Sequence, residues 1–271
     1  NLYGFNGVEV WCRGWREVPP IVPESLAEQT RLRQDKQLVH AVATAAATSG
    51  LSANGQAVVF WQEELRRDQL ICLVGGSYSA SASVPLGKPS TYVLAREKSV
   101  AGILEGIQKG RTYLTAGPDA PTVRFNADIL DDGKVDIGIG GVIPVDRKSR
   151  LIVQIWNGKG KKLEIMRDNL PLSTVTIEED AVEHSLAETP DRNASYWVRI
   201  TESPTEEGFG SSDVVALTSP IYAQRFVVVD PNADPADVRV RLRTQTQPKV
   251  EEVELPDDPT VGEIKPQWQV N

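Results

Sequence analysis

Between residues 119 and 225 the chain repeats one device: short stretches whose alternate residues are apolar, cut by Gly, Asp and Asn. Val123-Phe125, Val135-Ile137-Ile139, Leu151-Val153-Ile155, Leu163-Ile165 and Val175-Ile177 follow it, and the stretch marked by Trp197-Arg199-Thr201 also alternates. A period of two places alternate side chains on one face of a strand, whereas a helix would need a period near 3.6. Many short, half-buried strands joined by turn residues predict an antiparallel β-sandwich over 119–225. Val214 to Tyr222 supplies the last strand. Asp131-Asp132-Gly133 reads as a hairpin turn, because the later ligands of a calcium loop do not follow it. Trp156, Tyr196 and Trp197 read as core residues, with stacking on sugar rings as the other use of such aromatics.

Residues 1–118 have a different grammar. Gly7 to Trp11 alternates as a short strand. Ser25-Leu26-Ala27-Glu28 matches a capping box and opens a helix to about Thr48, whose Ala-rich half from Ala41 to Ala47 should be buried. A second helix is expected over about Ala53 to Arg67, with Val58, Trp61 and Leu65 on one face. Leu70 to Val74 is a continuous apolar run ended by Gly75-Gly76, the pattern of a parallel strand covered on both faces. Thr91 to Ala95 and Thr112 to Thr115 read as strands. Between them Ser99 caps a helix with Val100, Ile103, Leu104 and Ile107 on one stripe, and Gly110 closes it. Strand–helix alternation makes 1–118 an α/β region. The breaker cluster Gly117-Pro118-Asp119-Ala120-Pro121 marks the domain boundary. Residues 226–271 are polar and proline-rich, with the acidic run Glu251-Glu252-Val253-Glu254, and read as an extended or disordered C-terminal arm.

Charge narrows the partners. The 271 residues carry 29 Lys and Arg against 37 Asp and Glu, a net charge of −8. Nucleic acid needs clustered cations, so it is excluded as a partner. No apolar run approaches the ~20 residues of a membrane span. Two cysteines, Cys12 and Cys72, are too few for a zinc ligand set. They read as buried free thiols, with a disulfide between them left open. The chain begins without Met or signal peptide and enters a strand almost at once, as a processed precursor or a cut boundary would.

Five segments, in order, resemble one family. They are Val8-Glu9-Val10-Trp11, Leu73 to Ala80, Gly87 to Val93, Ser99 through Arg111-Thr112-Tyr113, and Thr218-Ser219-Pro220-Ile221-Tyr222. Together they look like the PHP (polymerase and histidinol phosphatase) superfamily, in its CehA/McbA-type metallohydrolase branch. That resemblance implies the C-terminal portion of a distorted β/α barrel followed by a β-sandwich. It also implies a lost metal centre. In the family the Gly-Gly-Ser strand end continues with an Asp, one residue, then a His, both metal ligands. Here those former metal-ligand positions are Tyr78 and Ala80. Neutral tyrosine is a poor ligand and alanine is none. The family's Glu-Val-Trp-Asn ends here in Cys12, and its upstream H-x-H and His-Pro motifs are missing. Only His40 and His184 occur in the chain, at positions where the family has no ligand.

No cofactor and no metal are therefore expected. Gly75, Gly76, Ser77 and Ser79 could cradle an anion with backbone amides, or simply fill the space of the former metal centre. A serine nucleophile would need a nearby base, and His40 is the only histidine in this region. A barrel with strands missing would expose apolar edges, so a protein partner or an upstream fragment is expected to cover the α/β region. The expected function is that of a catalytically inactive structural or binding subunit of a larger assembly. The alternative is a fragment of a divergent metal-dependent hydrolase completed by an upstream chain. A third reading, glycan binding, would need an exposed aromatic row on one sheet. Localisation stays open; the resemblance favours the cell envelope or exterior, because such relatives are often exported.

Overall fold

Residues 6–15, 52–79, 86–203 and 213–225 are described by the computed structural model. Two compact units divide at Arg225, and the second, Phe226–Asn271, lies outside the described residues. So do His40, Ala80, the helix expected from Ser25 to Thr48, and the C-terminal arm.

The alternating segments become strands. β5 (Thr122–Asp128), β6 (Ile137–Gly138), β8 (Ser149–Trp156) and β11 (Ala181–Glu188) form a four-stranded antiparallel sheet in the order β11-β8-β5-β6. A larger sheet runs β10 (Leu170–Thr176), β9 (Lys162–Arg167), β12 (Ala194–Thr201), β13 (Val214–Thr218), β4 (Thr112–Thr115), β3 (Ser90–Val93). β14 (Ile221–Gln224) pairs with β12 and, in parallel, with β7 (Val142–Pro144). The two sheets face each other over a core that includes Phe125, Val153, Ile165, Tyr196, Val198 and Ile200. That is the sandwich the period of two requires. Asp131-Asp132-Gly133 lies in the loop joining the antiparallel pair β5 and β6. Asp128 holds that loop, accepting the N–H groups of Leu130, Asp131 and Gly133. Burial alone would raise the Asp128 carboxyl, but these backbone donors outweigh it and the net shift is downward.

The expected partial barrel does not form. β1 (Gly7–Cys12) and β2 (Cys72–Gly76) are the only parallel pair among the described strands of 1–118. β3 and β4 pair antiparallel, and β4 pairs antiparallel with β13, so both belong to the sandwich's own larger sheet. The molecule is mostly antiparallel β-structure with two described helices, α1 (Ala53–Leu65) and α2 (Val100–Gln108). The physical reason lies in β4. All four of its residues are buried, with Tyr113 facing the sandwich core and Leu114 facing the opposite side. A strand buried on both faces reads the same whether its neighbours are parallel or antiparallel.

Behind the larger sheet sits a third layer, made of α1 and the β1–β2 pair. Val58, Trp61 and Leu65 of α1 pack with Trp11, Leu73, Leu114, Met166 and Trp197. Trp61 and Trp197 meet edge to face at 5.2 Å and 72°. The strict alternation expected for Val8 to Trp11 breaks at a register shift between Glu9 and Trp11. The shift turns both Val10 and Trp11 inward, at 1% and 2% exposure.

Three buried tyrosines make the fold sensitive to alkali. Burial raises the phenols of Tyr113, Tyr196 and Tyr222, Tyr113 to about 12. The folded protein keeps protons that the unfolded chain releases from about pH 10. Their stabilising contribution is therefore full below that pH and falls as pH rises. Urea midpoints should drop steeply between about pH 10 and 12. A midpoint that stays level across that range would contradict this.

Candidate functional site

The loop expected to replace a metal centre leaves the end of β2. Its geometry is built from β2 outward. One edge of β2 pairs with β1. The other is closed by hydroxyl groups. Leu73 N–H donates to Ser219 Oγ at 3.1 Å, and Leu73 C=O accepts from Thr112 Oγ1 at 2.6 Å. Two residues on, Gly75 N–H donates to Thr91 Oγ1 at 2.9 Å, which returns its proton to Gly75 C=O at 2.6 Å. Alternate strand residues thus find side-chain partners where a third strand would stand. The exposed apolar edge expected of an incomplete barrel is absent from β2. Thr112 and Ser219 are fully buried and also bonded to each other at 2.7 Å.

Leaving a buried backbone group unpaired costs about 1–3 kcal/mol. The Thr112→Val, Ser219→Ala double variant strips both partners from Leu73. It should lose about 2–4 kcal/mol by chemical denaturation. A loss below about 1 kcal/mol would show that water or rearrangement replaces the hydroxyls.

β1 is tied down separately. Asn54, 3% exposed in the first turn of α1, accepts Cys12 N–H at 3.0 Å. Its amide donates to the carbonyls of Cys12, Gly14 and Trp15. Ser52 caps α1 by accepting Gly55 N–H, and donates to Trp15 C=O at 2.8 Å. Sequence reasoning missed Asn54, since a polar residue in a helix's first turn looks like an exposed one. The two thiols sit at opposite ends of the β1–β2 pair, Cys72 opposite Gly7 and Cys12 opposite Gly76. That places them ~16 Å apart at ~3.3 Å per residue, far beyond disulfide reach. Both are free, and burial raises both thiols above their ordinary range.

The sequence-derived site residues fall as follows. Gly75 has no room for a side chain: a Cβ there would stand 2.6 Å from Trp11 C=O. Its amide is committed to Thr91. Gly76 has open space, with the Glu9 carboxylate 3.9 Å from where its Cβ would be. A carboxylate so placed opposes an anion electrostatically. Ser77 and Ser79 are half-buried, and Ser79 has a partner. Tyr78 is 67% exposed and left-handed, at φ 47°. The Arg13 guanidinium stands over its ring at 5.9 Å. Ala80 lies outside the described residues. Among the described residues, no three His, Cys, Asp or Glu side chains form a group that could hold a metal ion.

His184 faces the sandwich interior from β11, beside Ser173 Oγ of β10 at 3.1 Å. No carboxylate orients it among its described contacts. Tyr196 and Trp197 are wholly buried, and Trp156 is 38% exposed beneath the Arg124 guanidinium. Among the described residues the four-stranded sheet presents that one aromatic outward, not a row. No described helix is long and apolar enough to cross a membrane.

A second surface lies on α2. The sequence put Val100, Ile103, Leu104 and Ile107 on one stripe without assigning what that stripe faces. α2 buries its glycines, Gly102 and Gly106, and of the stripe Ile107 is half-buried. A Cβ at Gly106 would stand 2.5 Å from Val93 Cγ1, and one at Gly102 would stand 2.5 Å from Glu97 C=O. The closest face of the helix is therefore its smallest. Val100, Ile103 and Leu104 are turned outward at 75%, 43% and 53% exposure, and Ile103 lines one groove with Tyr92 of β3.

No protein-family model matches the chain, and no curated protein does. Solved structures give a partial likeness. The CARDB domain of a Pyrococcus furiosus protein, solved by NMR in solution, is 12% identical. The match covers 39% of this chain and 96% of that domain, at a TM-score of 0.23. A crystal structure of that domain in complex with di-metal ions is 14% identical, covering 40% and 97%, at a TM-score of 0.22. At such scores the likeness carries neither fold nor function to this chain.

Proposed function

We propose that this chain is a non-catalytic binding or structural component of a larger assembly, and that it meets its partner through the face built by α2 and β3. The single observation that carries this reading is the outward apolar stripe of α2. Scattered exposed apolar residues are ordinary, but contiguous ones on one element mark interaction surfaces. Val100, Ile103 and Leu104 occupy neighbouring positions on one helix face. A descent from PHP-type hydrolases is part of the proposal and rests on the five sequence segments. Support for lost catalysis comes from Tyr78, where an exposed phenol under a guanidinium stands at the position of a former acidic ligand.

The test is isolation of the chain from its native source by a mild tag, with identification of co-purifying chains and elemental mass spectrometry for metals. A stoichiometric partner, released by Ile103→Asp together with Leu104→Asp, and no stoichiometric metal are the expected results. A monomer without partner would overturn the assembly reading. Stoichiometric zinc, manganese or iron would favour the divergent hydrolase.

A further inference from the structure

We infer that the partner presents an extended acidic segment, alternating carboxylate and apolar residues, which adds as a strand to the open edge of β3. This inference rests on the assembly reading and specifies its chemistry. β3 ends the larger sheet, with β4 on one side and no described strand on the other. Leu94 N–H donates to Arg111 C=O at 2.8 Å, so ladder bonds fall at residues 94, 92 and 90 of this antiparallel pair. The backbone groups of the intervening Thr91 and Val93 point away from β4. Val93 C=O is taken by Ala95 N–H. Thr91 N–H, Thr91 C=O and Val93 N–H have no backbone partner among the described residues. These are the groups an incoming strand pairs with.

Beside them lies a groove of about 570 Å³, lined in part by Thr91, Tyr92, Val93, Arg96, Lys98 and Ile103. Its apolar side would take alternate apolar residues of the incoming strand, and its cations the carboxylates between them. The charge is local. Residues 86–111 hold five Lys and Arg against Glu97 and Glu105, in a chain of net charge −8. Glu105 is ion-paired with Lys109 and Arg111. Glu97 also lines the groove and accepts from Ser99 Oγ, a neutral donor that leaves its charge in place, so Arg96 and Lys98 stand there against one carboxylate. Arg96 and Lys98 are exposed and have no ion-pair partner among the described residues. A basic groove on an acidic protein selects an acidic partner and repels a basic one.

The probe is a fluorescent peptide alternating glutamate and valine, titrated against the full chain. Its controls are the lysine–valine counterpart and a version N-methylated at alternate amides. We expect saturable binding of the acidic peptide only, weakened about tenfold or more by Arg96→Glu with Lys98→Glu and by higher salt. N-methylation on the pairing edge should abolish it. Amide NMR shifts of the wild type should concentrate on Ser90 to Val93, and a dispersed spectrum of the variant shows that it remains folded. Equal binding of the lysine peptide, indifference to N-methylation, or shifts elsewhere would overturn the inference. So would binding to phosphatidylserine vesicles or self-association lost in the same variant, with no peptide bound. If a native partner is found and the Arg96→Glu, Lys98→Glu variant keeps it, the assembly reading stands and strand addition fails.

Discussion

Replacing Trp197 with alanine should cost about 3–5 kcal/mol, the range for truncating a buried aromatic. Trp197 projects from β12 into the layer behind the larger sheet, is fully buried, and meets Trp61 edge to face. Its indole N–H donates to Asp168 C=O at 2.6 Å, which the substitution leaves without that donor. Trp61 in turn donates to Ile71 C=O, which Tyr222 also reaches. The ring pair therefore joins α1, the approach to β2 and the larger sheet at one point. Domains of this kind are stable by only about 5–15 kcal/mol, so the variant should sit near the edge of folding. A double-mutant cycle with Trp61→Ala should give a coupling of about 0.5–1.5 kcal/mol. Hydrogen exchange should quicken more in α1 than in β8, because the sandwich core lies on the other side of the sheet. A loss under about 1 kcal/mol for Trp197→Ala would mean that the third layer adds little to stability.

The second large effect is expected at Glu164. This carboxylate is 1% exposed on β9. Arg199 Nε donates to it at 2.7 Å and Lys162 Nζ stands at 2.9 Å. Burial pushes its pKa up, but the two cations outweigh that and hold it below the ordinary carboxylate range. Glu164→Gln keeps the shape and removes the charge that both cations face. Breaking a buried ion pair costs about 3–5 kcal/mol, and the partial exposure of Lys162 and Arg199 sets the expected loss near about 3 kcal/mol. The sign with pH follows from the depressed pKa. The stabilisation is full above the unfolded value of about 4.3 and disappears as pH falls through the folded one. Urea midpoints of wild type and Glu164→Gln should therefore differ at neutral pH and converge in acid. A constant gap across that range would remove the carboxylate's charge from the explanation.

The sequence marked Trp197 as a core residue, but neither its meeting with Trp61 nor the cations around Glu164 were visible in the amino-acid string. The sandwich strands were legible because alternation is local. Leu151-Val153-Ile155 and Leu163-Ile165 need only their own period to declare a face. Helix α1 was legible from the spacing of Val58, Trp61 and Leu65, and α2 from the capping Ser99 and the closing Gly110. Thr112 to Thr115 was placed to the residue. What that region joins was not legible. β3 and β4 were expected in a partial barrel, and they lie in the sandwich's own sheet.

The difference has one physical cause. Periodicity, caps and turn residues act within a few positions, so the sequence by itself determined most of the described sandwich strands, the two described helices, and the apolar faces of β5, β8 and β9. It did not show β7 or β11, nor that Tyr196, Val198 and Ile200 form the core face of β12. Strand partners are chosen between segments a hundred residues apart. Ser219 reaches Leu73 across 146 positions, and Tyr222 reaches Ile71 across 151. Only the tertiary structure decided that hydroxyls, not a third strand, close the edge of β2. It also decided that α2 packs on its glycines and not on its apolar stripe. Two surfaces of that helix could be buried, and steric fit against Val93 favours the one with no side chains, because close approach gains more contact than the stripe could from farther out.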